Sequence, residues 1–213
     1  MSHLKKISLF YKQLLLSNII WIRKIIYWAL IWFAIGLIIP LLFPDAARFL
    51  IETMVNFFKQ VLHGNDATIS LSTVWFIFSQ NARAMIIALF LGIVLGIIPR
   101  LSTALNFSII GVLFAATLKK SLLGALLFIL VLIPHGIFEI PTMIISAAFG
   151  LRLGLFWKIT EPNLTNKQKF FLALKQNAQL IPLIILLLVC AAFAEVFVSG
   201  EISRLVSMCT RIF

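Results

Sequence analysis

The chain has 213 residues, of which 62% are hydrophobic and 12% are charged, and its mean hydropathy is +1.10. Soluble globular domains average roughly 45–50% apolar and about 25% charged residues, so this composition excludes an ordinary soluble domain. Several apolar runs approach the roughly 20 residues that cross a bilayer as a helix, and they are continuous rather than alternating. We therefore predict an all-α, polytopic helical membrane protein with one membrane domain, rather than a β-barrel.

The formal net charge is +11. Most basic residues lie just outside the apolar runs, which is typical of residues that set membrane topology and contact anionic lipids. No segment is available to form a nucleic-acid-binding domain, so we expect no nucleic acid as a partner. Cys190 and Cys209 have no CxxC partner and indicate neither a zinc motif nor a redox motif.

Residues 1–24 are basic, contain no acidic residue, and repeat their apolar side chains at helical spacing. This pattern predicts an amphipathic helix that lies on the membrane surface. We expect the protein to lie in the cell (inner) membrane. Because excess positive charge is typical of cytoplasmic segments, we place its N-terminus in the cytoplasm. Anionic lipids are the expected partners of this basic face. We expect no cleavable signal peptide, since the first apolar run is of spanning length.

The transmembrane domain is predicted over residues 25–200, and its first crossing over residues 25–43. Residues 45–62 place apolar side chains at helical spacing among polar ones, which predicts an interfacial helix on the outer face. A short turn at Pro99–Arg100 is predicted to join the second crossing to the third. The remaining elements are crossings at residues 74–98, 101–118 and 180–198, followed by a short basic tail at residues 201–213.

Glycines four residues apart occur twice, as Gly92 with Gly96 and as Gly150 with Gly154. Small residues at this spacing let two membrane helices approach closely. We interpret both pairs as packing surfaces.

Residues 121–157 are too many for one straight crossing, and Pro134 and Gly136 lie near the middle of the segment. Proline removes a helix hydrogen bond and glycine loosens a helix, so we predict a broken or re-entrant helix around Pro134–Gly136. One bent crossing would leave the basic residues 158–179 in the cytoplasm, whereas two crossings would place them outside. The prediction is therefore about five to six transmembrane segments.

His135 and Glu139 are four residues apart, so a helix would place them on one face within reach of each other. A carboxylate buried in hydrocarbon costs several kcal/mol unless it is neutralised or paired. Three interpretations stay open: a structural His–Glu hydrogen bond, a proton or ion site, and a metal-dependent hydrolase. The HExxH motif of zinc proteases needs a second nearby histidine, which is absent, so a non-enzymatic role is favoured.

Glu195 is a second carboxylate near membrane depth. If its helix neighbours that of Glu139, the two carboxylates and His135 would share a proton or a metal ion, and no other cofactor is indicated. The alternative is that Glu195 lies among the lipid headgroups. Asn81 and Asn106 are further candidates for a polar site, because asparagine in a membrane helix commonly forms interhelical hydrogen bonds. Arg83 is either a counter-ion to a carboxylate or a side chain that snorkels to the membrane surface.

The segment Pro134–Glu139, followed by the small-residue segment Ile145–Gly154, resembles the PHG-x-x-E signature and glycine-containing helix of the stage II sporulation protein M family. Asn106 departs from the pattern, because Phe107 follows it where the family often has glycine. The resemblance covers about residues 75–200, and its weaker matches are Asn81, Gly92, Gly96, Pro99, Asn106, Gly111 and Ala192–Glu195.

The resemblance implies an integral membrane protein that acts as a scaffold or transport component, with an intramembrane His–Glu site. It also implies other copies of the chain or other cell-envelope proteins as partners, since the family's named member works with peptidoglycan-degrading proteins during spore engulfment. Many relatives occur in organisms that do not form spores, so the resemblance does not imply a role in sporulation.

Overall fold

The computed structural model describes residues 3–63 and 70–199. These residues contain seven α-helices and no strand, which confirms the all-α prediction. The helices are α1 (His3–Ser17), α2 (Ile19–Leu42), α3 (Pro44–His63), α4 (Leu71–Phe90), α5 (Ile97–Lys120), α6 (Leu122–Gly154) and α7 (Asn166–Phe193).

Five helical segments in this part of the chain are long and apolar enough to cross a membrane. The protein is therefore a multi-pass membrane protein. If each segment crosses once, α1 and the loop between α6 and α7 lie on the same side of the membrane. The five segments are Ile19–Leu42, Leu71–Ile93, Ile97–Lys120, Leu122–Gly154 and Asn166–Val198.

Helix α6 is one continuous helix of 33 residues with Pro134 and Pro141 inside it. The prediction of a broken or re-entrant helix around Pro134–Gly136 is therefore wrong, and the segment contributes a single long crossing. Leaving the helix at membrane depth would expose several backbone groups to lipid, whereas a proline inside the helix removes only one hydrogen bond. The first cost exceeds the second, so the helix continues.

The N-terminal helix predicted over residues 1–24 divides at Asn18, which lies between α1 and α2. The side-chain amide of Asn18 donates a hydrogen bond to the Leu14 carbonyl at 2.9 Å, which closes the end of α1. Arg23 and Lys24 consequently belong to the first spanning helix, and the Lys24 ammonium lies 4.3 Å from the centre of the Trp21 ring.

The turn between α4 and α5 comes earlier than Pro99–Arg100, where it was predicted. Leu95 and Gly96 adopt positive φ angles of 52° and 65° and reverse the chain there. Pro99 instead lies in the first turn of α5, where its missing N–H leaves no helix hydrogen bond unmade.

Helix α7 starts well before its apolar part, at Asn166. Thr165 and Gln168 form a capping box, in which each side chain bonds to the backbone N–H of the other residue. Residues 166–179, predicted as part of a polar segment, therefore continue directly into the last crossing. The predicted basic tail at residues 201–213 lies outside the described residues.

The two glycine pairs pack against each other, which confirms their interpretation as packing surfaces. A Cβ atom placed on Gly92 would overlap the Gly150 carbonyl, and one placed on Gly154 would overlap the Gly92 carbonyl. Because the contacts advance together along both chains, α4 and α6 run parallel at backbone contact. Helices α2 and α5 approach equally closely, where Gly36 meets Ser108.

Candidate functional site

His135, Glu139 and Glu195 form a cluster in which one ligand atom from each residue lies within 4.8 Å of the others. His135 and Glu139 occupy successive turns of α6. Glu195 comes from the segment that follows α7, and all three side chains are half-buried. The structure thus brings together the three residues that sequence reasoning singled out, including one that is 56 positions away from Glu139 in the chain. We call them the His–Glu–Glu cluster.

A change in helix type places Glu195. The α-helical hydrogen bonding of α7 ends at Phe193, and residues Ala194–Ser199 form a π-helix. Such wider turns redirect side chains and are common at functional sites. The neighbours Ala192 and Val196 are buried against Val74 of α4, which fixes this segment beside α4. Packing on one side of the π-helix therefore leaves Glu195 free to meet the α6 pair.

A groove of about 560 Å³ lies next to His135 and Glu139. Most of the side chains that line it are apolar and come from α5 and α6, while Thr53 of α3 lies at its edge. Asn106 also lines this groove, and its amide donates a hydrogen bond to the Ser102 carbonyl at 2.8 Å. The apolar part of the lining comprises Ile109, Ile110, Leu113, Leu132, Ile140 and Met143. The cluster is therefore approached through an apolar passage rather than through a charged one.

Asn81 and Arg83 lie elsewhere. Arg83 is exposed and Asn81 is half-buried on α4, and neither belongs to the cluster or to the lining of the groove. The structure does not bring Arg83 to the carboxylates as a counter-ion.

Sequence reasoning missed the role of Asn177, which is fully buried on α7. Its amide donates a hydrogen bond to the Leu89 carbonyl of α4 at 2.7 Å, so it ties together two of the helices that surround the core. Asn177 lies within residues 158–179, which were predicted only as a basic cytoplasmic segment, so this interhelical hydrogen bond was not expected. Arg152 was noted only within the family resemblance, and it is 3% exposed at the end of α6.

The cluster offers one imidazole nitrogen and two carboxylate oxygens. This donor set suits zinc, manganese or iron, each of which accepts nitrogen and oxygen ligands. Two carboxylates offset the charge of a divalent cation, so the loaded site would be close to neutral inside an apolar environment. The residues present thus fit a divalent metal ion.

The family described as Stage II sporulation protein M matches residues 29–200, which include the whole cluster. The chain belongs to the stage II sporulation protein M family. This finding confirms the resemblance carried by the segment Pro134–Glu139. The protein named Uncharacterized protein MJ0793, from Methanocaldococcus jannaschii, is similar: it is 31% identical over 129 residues, which cover 60% of this chain and 71% of that protein. No solved structure gives a significant match.

Proposed function

We propose that this member of the stage II sporulation protein M family binds a divalent cation at the His–Glu–Glu cluster and acts as a scaffold or transport component of the membrane. The observation that carries the proposal is the approach of all three ligand atoms to within 4.8 Å. Ligands from α6 and from the end of α7 would be joined by one ion, so binding would fix these two elements together.

Electrostatic repulsion supports a bound cation. Two ionised carboxylates that lie at most 4.8 Å apart repel each other by at least about 3.5 kcal/mol at an effective dielectric constant of about 20. All three side chains are half-buried, so water screens this repulsion less than it would at an exposed site. Either a bound cation or a shared proton would remove the repulsion between the carboxylates. The imidazole of His135 favours the cation, because two carboxylates can share a proton without a third ligand.

Metal content of the purified protein tests the proposal. We expect about one equivalent of a transition metal in the wild-type protein after gentle purification, and loss of that metal in Glu139→Gln and in Glu195→Gln. Glu161→Gln is the matched control, because Glu161 is exposed in the loop between α6 and α7 and lies outside the cluster. Wild-type protein that holds no metal and binds none when titrated with zinc or manganese would refute the cation site.

Flux measurements separate transport from a scaffold role. A transporter that uses the cluster should move a cation or protons across proteoliposomes, and Glu139→Gln should abolish this flux while the protein remains folded. A scaffold should show no flux but should lose complementation in the same variant. Full complementation by both Glu139→Gln and His135→Ala would show that neither role depends on the cluster.

A metal-dependent hydrolase is the second candidate, and the groove beside the cluster favours it. Catalytic zinc sites commonly use three protein ligands and keep one position for water or substrate. The apolar lining of the groove would suit a substrate with a hydrocarbon chain. Hydrolysis of a fluorogenic alkyl ester or amide that chelators abolish, and that Glu139→Gln lacks, would support this role. Inert metal-loaded protein would count against it.

We further propose that the protein lies in the cell membrane with its N-terminus in the cytoplasm. The basic residues of α1 and of the start of α7 support this orientation, since cytoplasmic segments carry excess lysine and arginine. In a variant without native cysteines, Asn163→Cys should react with an impermeant maleimide only after cells are permeabilised. Ser121→Cys, at the opposite end of α6, should react in intact cells, and the reverse pattern would invert the topology.

A further inference from the structure

A second groove, of about 660 Å³, lies where the ends of α2 and α5 meet the start of α3. Arg48, Lys119 and Lys120 line it, and Glu52 is the one acidic residue in its lining. Pro40 and Ala116 are among the apolar residues that line the rest of the groove. We call this feature the basic groove. Its lining carries a formal charge of +2, the difference between three cations and one anion.

The position of the basic groove makes its charge unusual. With five crossings, Lys119 and Lys120 lie on the side of the membrane opposite to α1 and to the loop between α6 and α7. Basic residues are concentrated on the cytoplasmic side of membrane proteins because they set the orientation of the chain. In the orientation proposed above, with α1 in the cytoplasm, two consecutive lysines on the other side work against that orientation, so topology does not explain them.

Helix energetics explain only part of this arrangement. Lys119 and Lys120 occupy the last turn of α5, where positive charge interacts favourably with the helix dipole. Arg48 comes from a different helix, α3, and faces the same groove, which adds a third cation to two that already repel each other. Three exposed cations from two helices therefore share one concave surface with a single carboxylate, Glu52, and a bound anion would offset the remaining positive charge.

We infer that the basic groove binds the phosphate headgroup of an anionic phospholipid. Basic pockets between membrane helices bind lipid headgroups, and arginine and lysine both donate to phosphate oxygens. The groove combines this charge with an apolar wall at the ends of α2 and α5, where the acyl chains of a lipid would continue towards the membrane interior. A free phosphate ion would leave that apolar wall uncovered, so the combined lining favours a lipid.

Lipid binding to the purified full-length protein tests this inference. Detergent-solubilised protein would be titrated with phosphatidylglycerol, phosphatidylcholine or inorganic phosphate, and bound lipid would be counted by native mass spectrometry. We expect phosphatidylglycerol to be retained in preference to phosphatidylcholine, and phosphate at millimolar concentration not to displace it. Equal retention of the two lipids, or complete displacement by phosphate, would overturn the assignment to an anionic lipid.

Charge variants locate the binding site. Lys119→Gln combined with Lys120→Gln should weaken phosphatidylglycerol binding by about 25-fold, since each lysine near anionic lipid contributes about fivefold. Lys167→Gln combined with Lys169→Gln is the matched control, because these lysines lie at the start of α7, outside the basic groove. Equal losses in both double variants would show that binding follows net charge alone and would overturn the site.

A conservative variant separates binding from folding. Lys119→Arg combined with Lys120→Arg keeps the charge, so it should retain phosphatidylglycerol at the wild-type level. If this variant loses the lipid although it elutes as folded protein, positive charge in the groove is not what binds the headgroup, and the inference fails.

Discussion

Gly150→Ala should destabilise the protein through the contact between α4 and α6. A Cβ atom on Gly150 would overlap the Ala88 carbonyl oxygen and would lie 3.4 Å from the Leu89 Cα atom. Both neighbours are backbone atoms, so no rotation of a side chain can make room. The two helices would have to separate along the surface where the glycine pairs meet.

The cost follows from two opposing terms. Overpacking of a close contact costs about 1–3 kcal/mol. Alanine is favoured over glycine in a helix by about 1 kcal/mol, which partly hides that cost. Gly136→Ala is the control that separates the overpacking cost from the propensity gain. Gly136 lies in the same helix, and its added Cβ would meet only Ile140 and Leu132 side-chain atoms at 3.5 and 3.8 Å. The propensity gain is common to both variants, so Gly150→Ala should be less stable than Gly136→Ala by about 1–3 kcal/mol.

Unfolding of the two variants in mixed micelles, followed by tryptophan fluorescence as the fraction of denaturing detergent rises, measures this difference. We expect the unfolding midpoint of Gly150→Ala to fall below those of the wild type and of Gly136→Ala. If Gly150→Ala unfolds at or above the midpoint of Gly136→Ala, the backbone contact between α4 and α6 is not close, and the reasoning is refuted.

Other stability predictions use the same unfolding measurement. Asn177→Ala removes the buried hydrogen bond to the Leu89 carbonyl and should cost about 1–3 kcal/mol, because that carbonyl has no water to replace it; an unchanged midpoint would contradict this. Trp28→Phe removes the 2.9 Å hydrogen bond to the Arg100 carbonyl and should cost about 0.5–1.5 kcal/mol, and stability equal to that of the wild type would refute this. Thr165→Ala opens the capping box of α7 and should cost about 0.5–2 kcal/mol, whereas Thr165→Ser should restore most of it. If a metal occupies the His–Glu–Glu cluster at 100 times its dissociation constant, a chelator should lower stability by about 2.7 kcal/mol in the wild type and leave the Glu195→Gln variant unchanged; equal effects would exclude the cluster as the binding site.

Pro134 shows that helix-breaking residues in the local sequence do not by themselves predict where a membrane helix ends. In water, a proline followed closely by glycine commonly ends a helix because the freed backbone groups bond to solvent. At membrane depth the lipid cannot bond to freed backbone groups, so the helix continues and α6 passes through both Pro134 and Pro141. The same argument explains why the described residues contain five candidate spans and not six, since a continuous α6 counts only once.

The position of the turn between α4 and α5 and the start of α7 also could not be predicted from the local sequence. Pro99 marks a turn by composition, yet the chain reverses at Leu95 and Gly96, because the contact of Gly92 and Gly96 with Gly154 of α6 requires the backbone to turn there. The polar start of α7 looks like a loop, yet Asn177 finds its partner on α4 and the helix includes it. Each outcome depends on a neighbouring helix that the local sequence does not contain.

The sequence by itself determined the helical membrane class, the family, the glycine pairs and the pairing of His135 with Glu139. The helical class follows from composition, and the family follows from the resemblance of the segment Pro134–Glu139. The glycine pairs and the His–Glu pair follow from the 3.6-residue period, which places positions four apart on one face of any helix. Only the tertiary structure decided that Glu195 joins them within 4.8 Å. That meeting requires α7 to pack beside α6 and its end to widen into a π-helix at Ala194. The separation of 56 residues between Glu139 and Glu195 predicts neither event. Packing between helices decides whether the two residues meet, and the period of a single helix does not.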